Sequence, residues 1–343
     1  MLTVLDLRRF DDITQSGDFL TDLRQAAQDN GGFYLTGHGI DEALIDEVLK
    51  ISRQFFALPE PEKLAIEMVN SPHFRGYTRA GWEYTRGKRD WREQLDVNTE
   101  CEPVAIGPHT AAWKRLIGPN QWPLALPELR SLLLAYQAEA TRVGTRILQV
   151  ISAALLQDQN ALQDLYTPLP TQLLKIIRYP GRDNAESDQG VGPHKDGGLV
   201  TLLLQDKVKG LRMCNEQGSW FEVPPRSGSL VLMAGEVLEL LTEGFIRAPI
   251  HDALAPPVGV ERFSIAFFLG ARLDAVIPVL DLPADLKTAQ RGVTADPQNP
   301  LYREVGFNQL KSRLRSHPDV ARRHHADLLS PDELKSSVFA SAY

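Results

Sequence analysis

The sequence predicts an α+β fold whose core is mainly β, a sandwich or jelly roll, with flanking N-terminal and C-terminal helices. Two observations carry this. Apolar residues recur at helical spacing through the first half of the chain, switch to short runs from residue 172, and return to helical spacing from Tyr302. The short runs are separated by Gly, Pro, Asn or Asp, the punctuation of many short strands. With 343 residues, 43% hydrophobic and 24% charged, the chain has enough material for a large globular core.

In order along the chain, residues 4–7 read as a short strand. Residues 18–28 carry Phe19, Leu20, Leu23, Ala26 and Ala27 at helical spacing, and Gly31-Gly32 stops that helix. Phe33-Tyr34-Leu35-Thr36 is a buried-strand candidate leading into the turn Gly37-His38-Gly39-Ile40, where His38 reads as structural. Residues 41–58 form an amphipathic helix: Asp41 is its N-cap, Leu44, Ile45, Val48, Leu49, Ile51 and Phe55 share a side, and Pro59 ends it. Residues 61–68 read as another short helix. Residues 74–97 are rich in aromatics and arginines, and residues 102–127 read as a long connection. A long helix over 127–157 starts at Pro127, a favoured first-turn residue, and carries an apolar stripe from Leu129 to Ala154. Strands follow over 172–179, 199–205, 210–214, 220–223, 229–234, 249–254 and 263–269. Residues 302–329 return to helix, interrupted at His317-Pro318; Arg322-Arg323-His324-His325 reads as a solvated helix face.

Composition excludes several classes of function. The net charge of −7 and the absence of a dominant Lys/Arg run argue against a nucleic-acid partner. No stretch is apolar for long enough to span a bilayer, and the N-terminus lacks a signal-peptide pattern, so the expected location is cytoplasmic and no membrane partner is expected. The two cysteines, Cys101 and Cys214, read as free thiols.

The chemistry concentrates between Gly192 and Ser264. In extended backbone, residues i and i+2 point the same way, so His194 and Asp196 aim an imidazole and a carboxylate at one point. His251, in a short apolar strand, completes a set of two histidines and one carboxylate that suits Fe(II) and leaves positions for O2 and an organic ligand. Gly197-Gly198 lets the backbone bend near the metal. Arg262 and Ser264, again at i and i+2, make a fork for a carboxylate.

These motifs resemble the isopenicillin N synthase-like family of Fe(II)/2-oxoglutarate-dependent dioxygenases. Fifty-four residues separate Asp196 from His251 and ten separate His251 from Arg262, as in the family's His-x-Asp, His and Arg-x-Ser pattern. Ile177-Arg178-Tyr179-Pro180 is similar to the family's strand with a Tyr touching the bound carboxylate. The run Gly235-Glu236-Val237-Leu238-Glu239-Leu240-Leu241-Thr242 resembles its Gly-Asp-x-x-Glu-x-x-Thr segment.

The resemblance implies a double-stranded β-helix (cupin-like jelly roll), with a family N-terminal region over 1–115 and a catalytic region over 116–343. It implies Fe(II) on His194, Asp196 and His251, and 2-oxoglutarate held by Arg262, Ser264 and Tyr179. Consumption of O2 would yield succinate and CO2, with hydroxylation or other C–H oxidation of a small molecule. Arg75, Tyr77, Arg92 and Glu93, from the region that lies over the barrel mouth in the family, together with Phe268, are the substrate candidates. The arginines at 75, 79 and 92 point to a substrate bearing a carboxylate. Phe268 serves either as an apolar wall or in core packing. Three alternatives remain at this point: an oxidase of the isopenicillin N synthase or aminocyclopropane carboxylate oxidase type that uses no 2-oxoglutarate, a non-catalytic protein binding a small acid on the same scaffold, and a Zn(II) hydrolase. The absence of an HExxH or cysteine-based site weighs against the last.

Overall fold

The computed structural model describes residues 2–181, 188–293 and 299–335. The N-terminal part runs β1 (Val4–Asp6), α1 (Ser16–Asn30), β2 (Gly32–Thr36), α2 (Glu42–Phe56), α3 (Glu60–Leu64) and β3 (Gly76–Thr78). The small hairpin β4 (Tyr84–Thr85) and β5 (Lys88–Arg89) follows, then β6 (Glu93–Asn98), the long α4 (Glu128–Ala154) and the short α5 (Gln163–Tyr166). Next come β7 (Thr171–Tyr179), β8 (Gln189–His194), β9 (Val200–Gln205), β10 (Leu211–Cys214), β11 (Trp220–Glu222) and β12 (Leu230–Ala234). The chain continues through α6 (Glu236–Leu241), β13 (His251–Leu254), β14 (Arg262–Gly270) and α7 (Ala284–Lys287), and ends in α8 (Val305–Ser316), α9 (Pro318–His324) and α10 (Pro331–Lys335).

Two sheets form the jelly roll. The larger has the order β1-β2-β12-β9-β14-β7-β6-β3, and the smaller β11-β10-β13-β8. Consecutive strands of the chain therefore alternate between sheets: β8 in the small sheet, β9 in the large, β10 and β11 back in the small, β12 in the large. The two-residue period of a strand divides the large sheet cleanly. Ile177 and Tyr179 of β7, Leu203 of β9, Val231 and Met233 of β12 and Ala266 of β14 point inward, packing with Leu211, Met213 and Ala253 of the small sheet. Their chain neighbours Leu174, Ile176, Leu202, Leu204, Leu232, Ile265 and Phe267 point outward into the helical layer. Phe267 is thus core packing, whereas Phe268 faces the interior.

Helix α4 is the support behind the sheet, burying Leu129, Leu133, Tyr136, Val143, Ile147, Val150 and Ile151. Gly144 brings it close, because a Cβ there would sit 2.9 Å from Leu269 Cδ2. Helix α2 starts where expected: the Asp41 side chain accepts a hydrogen bond from the Ala43 N–H at 2.9 Å. Helix α1 ends at Gly31 with φ +64, in the left-handed region.

Three local readings change. Residues 76–78 and 93–98, expected only as cover over the barrel mouth, extend the large sheet as β3 and β6. Gly197 meets no steric demand: a Cβ would have nothing within 4 Å, whereas the close backbone approaches occur at Gly198 and Gly235. The 322–325 segment is not wholly solvated. His325 is buried, stacks on Phe74 at 5.1 Å and donates from Nε2 to the Pro72 carbonyl at 2.8 Å, while His324 Nε2 reaches the Val69 carbonyl.

Candidate active site

β8 and β13 are antiparallel neighbours, and their register sets His251 opposite His194. The two rings lie 4.3 Å apart between centroids. Asp196, two residues beyond the end of β8, brings Oδ1 to 3.5 Å from His194 Nε2 and 3.7 Å from His251 Nε2. One ligand atom from each of the three lies within 4.8 Å of the others, and among the described residues this is the one such group of His, Cys, Asp or Glu.

The surroundings prepare these atoms for a cation. His194 Nδ1 lies 2.8 Å from the Gly192 carbonyl and His251 Nδ1 3.1 Å from the Pro249 carbonyl. Each Nδ1–H is thereby committed to backbone, which leaves the Nε2 lone pairs facing the carboxylate. Thr201 Oγ1 donates to Asp196 Oδ2 at 2.6 Å, so Oδ1 is the oxygen turned to the imidazoles. Burial pushes the Asp196 carboxyl up, but His251, His194 and Thr201 outweigh it and hold it well below the usual carboxylate range. Burial pushes the His251 imidazole down, toward its neutral, ligating form. The Glu236 N–H donates to the Asp196 carbonyl at 2.7 Å, pinning the loop to the start of α6. A Cβ on Gly235 would meet the Gly198 carbonyl oxygen at 2.1 Å. The donor set, two imidazole nitrogens and one carboxylate oxygen converging from one side, fits Fe(II).

On the same inner surface, Arg262 and Ser264 of β14 point into the roll. Arg262 has no exposed surface. Its Nη2 donates to Gln205 Oε1 at 3.0 Å and its guanidinium lies 4.7 Å from the ring centre of Tyr179, the residue paired with it across β7 and β14. Arg262 Nε, Arg262 Nη1 and Ser264 Oγ are buried without a hydrogen-bond partner. A buried guanidinium with unpaired donors beside an unpaired hydroxyl is costly unless an anion completes it. The Tyr179 hydroxyl itself is hydrogen-bonded to Arg92.

A cavity of about 760 Å³ reaches His194 and Asp196 and is lined also by Phe268, Arg75, Arg92 and Glu236, among others. This size suits a small organic ligand. Its charged groups are mostly tied to one another. Glu83 contacts Arg92 at 2.7 Å and Lys175 at 3.1 Å, and although burial pushes its carboxyl up, these cations and His317 hold it well below its usual value. Asp96 pairs with Arg313 at 2.8 Å and Lys175 at 3.5 Å. Asp90 accepts from Thr85, Gln189 and the Gly192 N–H, which ties the β4–β5 hairpin to β8, the strand that carries His194. Arg75 differs: it is buried, Nη2 donates to the Leu116 carbonyl at 2.8 Å, Nε has no partner, and no carboxylate lies within ion-pair distance among the described residues. Burial and nearby Arg313 push its guanidinium down to about 9, still protonated at neutral pH.

Of the substrate candidates, the structure brings Arg75, Arg92 and Phe268 to the cavity but not Tyr77 and Glu93. Tyr77 bonds Glu93, which also contacts Lys63 and Arg178; in β6, Glu93 shares the outward parity of Leu95 and Val97, away from the cavity. Arg79 pairs with Glu67 at 2.8 Å and covers Trp82. Arg92 lines the cavity with its charge already matched by Glu83. Sequence reasoning missed Thr201, Gln205, Lys175 and Glu236. The first three were detectable as lone polar residues at inward positions of otherwise apolar strands. Asp252, beside the candidate ligand His251, turns to the opposite face of β13 and pairs with Arg212 at 2.6 Å across the sheet.

The chain belongs to the 2OG-Fe(II) oxygenase superfamily. Residues 170–271 match that family, and residues 2–125 match the family described as non-haem dioxygenase in morphine synthesis N-terminal. A 2-oxoglutarate-dependent dioxygenase, frbJ, of Dothideomycetidae sp. (strain 11243) is 36% identical, with 94% of this chain and 91% of that protein covered. Homoarginine-6-hydroxylase 2-ODD-C23.1 of Arabidopsis thaliana is 35% identical over 76% of this chain and 79% of its own length. The fold is shared with a full-length Neurospora crassa protein solved in complex with alpha-KG and thymine: TM-score 0.72, 21% identity, 96% of this chain and 97% of that chain covered. The protein is accordingly an Fe(II)- and 2-oxoglutarate-dependent oxygenase. Among the described residues no helix is long and apolar enough to cross a membrane.

Proposed function

We propose that His194, Asp196 and His251 hold Fe(II), that Arg262 and Ser264 grip the distal carboxylate of 2-oxoglutarate, and that the substrate enters the cavity with a carboxylate directed at Arg75. The bound metal and cosubstrate supply the oxidising chemistry, in which decarboxylation of 2-oxoglutarate to succinate and CO2 is coupled to C–H oxidation. The chain's own residues position and shield. Thr201 and the two backbone carbonyls orient the ligand atoms, Gln205 and the Tyr179 ring fix the Arg262 plane, and Phe268 supplies apolar wall beside the reacting bond.

The observation that carries the clamp is the set of three unpaired buried atoms on Arg262 and Ser264. For the substrate it is Arg75, the buried cavity cation without a carboxylate. Support for an amino-acid-like acid comes from relatives named homoarginine hydroxylases. Anaerobic titration of the Fe(II)-loaded protein with 2-oxoglutarate, followed by the visible charge-transfer band of the chelate, tests the clamp. Arg262→Ala should need at least about tenfold more 2-oxoglutarate, the loss of roughly one charge-assisted pair. An unshifted titration would remove Arg262 from the role. Arg75→Ala should raise substrate KM about tenfold or more while substrate-free turnover of 2-oxoglutarate persists.

A further inference from the structure

We infer that Glu236 is a cation-recognition residue at the iron end of the cavity, so that the substrate is a zwitterion carrying an ammonium, guanidinium or amidinium group close to the oxidised C–H. This rests on the cavity being the substrate site, as proposed above, and adds the second pole of the ligand.

Four acidic residues appear among the described residues lining the cavity. Three are engaged: Glu83 by Arg92 and Lys175, Asp196 by the imidazoles and Thr201, and Asp274 by Arg272 at 3.1 Å. The Glu236 side chain makes no hydrogen bond and no ion pair among the described residues, although it is half-buried. Two lysines stand near it, and both are committed elsewhere. Lys195 is bound to Glu239 at 2.7 Å, with Glu239 further fixed by the Ala248 N–H, and Lys311 donates to the Pro300 carbonyl.

Its place is set by backbone. The Glu236 N–H is bonded to the carbonyl of Asp196, so the side chain starts from the residue that touches the metal-ligand loop. Arg75 immediately precedes β3, the far edge of the large sheet, four strand positions from β9 where that loop ends. Both residues line the one cavity, Arg75 at the edge of the large sheet and Glu236 beside the metal-ligand loop. The cavity thus has an anion-seeking end at Arg75 and a cation-seeking end at Glu236.

Charge counting makes the second end informative. Fe(II), the Asp196 carboxylate, the 2-oxoglutarate dianion and Arg262 sum to neutrality. Glu236 is then an additional acid in a partly desolvated site, a position that stabilises a cationic ligand and disfavours a neutral one of the same shape.

Binding to the metal- and 2-oxoglutarate-loaded protein, held anaerobic so that no turnover occurs, tests this by calorimetry. The probes are two pairs alike in shape and different in charge: L-arginine against L-citrulline, and L-lysine against L-2-aminoheptanoic acid. Wild type should bind the cationic member of at least one pair about tenfold or more tightly. Glu236→Gln, nearly isosteric, should abolish that preference by weakening the cation alone, with Glu236→Asp retaining part of it. Unchanged 2-oxoglutarate affinity and melting temperature show that the variants are folded. Arg75→Ala should weaken both members of a pair equally. If Arg75→Ala changes nothing while Glu236→Gln removes the preference, the carboxylate end fails and the cation end stands. No cationic preference in wild type, or a preference untouched by Glu236→Gln, overturns the inference.

Discussion

Asp196 shows how much one residue of this site depends on its neighbours. It is buried, turns one oxygen to two imidazoles and has the other occupied by Thr201 Oγ1 at 2.6 Å. Removing that donor leaves the carboxylate free to rotate and one buried oxygen unsatisfied, so Thr201→Val should weaken Fe(II) or Mn(II) affinity about 10- to 100-fold, as loss of an outer partner does elsewhere. Metal titration of apo protein checks this; equal affinities would mean that the histidines alone orient the site. Arg92 makes the complementary point. Burial pushes its guanidinium down, but Glu83 and Asp90 outweigh this and hold it firmly protonated. Arg92→Ala would therefore strip Glu83 of one of its two cationic partners instead of simply removing a substrate contact.

Among the elements, the turn from β12 into α6 matters most. Its Gly235 lies against the backbone of the metal loop, where a Cβ would sit 2.1 Å from the Gly198 oxygen, and backbone cannot swing aside as a side chain can. Gly235→Ala should lower both melting temperature and metal occupancy, whereas Gly197→Ala, with nothing within 4 Å, should leave both nearly unchanged. Thermal melts with parallel metal analysis separate the two. The segment after α9 carries a pH dependence. His325 Nε2 donates to Pro72, Nδ1 is buried without a partner, and burial pushes the imidazole below its ordinary value. The unfolded chain, with a histidine pKa near about 6.5, then takes up this proton before the folded one does, so stability falls as pH drops below that value and is retained above it. His325→Gln keeps a donor for Pro72 and removes the titration. Its melting temperature should therefore decline less than that of wild type between about pH 7.5 and 5.5. Parallel curves would show that His325 does not contribute.

At the scale of the whole molecule, an apolar interior packs the two sheets together, and a buried polar network lines the cavity. Glu83, Lys175, Asp96, Arg313 and Arg92 join the β4–β5 hairpin, the large sheet and α8 around the cavity. Tyr179 connects Arg92 to Arg262, so the wall of the substrate cavity and the carboxylate clamp share one chain of contacts. A metal on the proposed site between β8 and β13 would tie this assembly at its centre, because its three ligands converge only in the folded chain. Removing it with a chelator should lower the melting temperature by several degrees, since free metal at about 100 times Kd stabilises by about 2.7 kcal/mol. A calorimetric scan of holo and chelated protein measures this, and coincident transitions would show that the metal is not coupled to folding.

Much of this was readable from the chain alone. The i, i+2 pairs His194/Asp196 and Arg262/Ser264, the helices at 41–58 and 127–157 and the strand run from residue 172 are local patterns, and local geometry alone places their side chains on a common side. Long-range pairing decided the rest. Register across β8 and β13 sets His251 opposite His194, and register across β6 and β7 turns Glu93 away from the cavity while Lys175 faces it. Which charges lack partners, Arg75 and Glu236 above all, depends on which residues distant in sequence arrive beside them. Hydrophobic periodicity says which face is buried, but the complement of a buried charge is supplied by another strand, and only the folded chain brings that strand near.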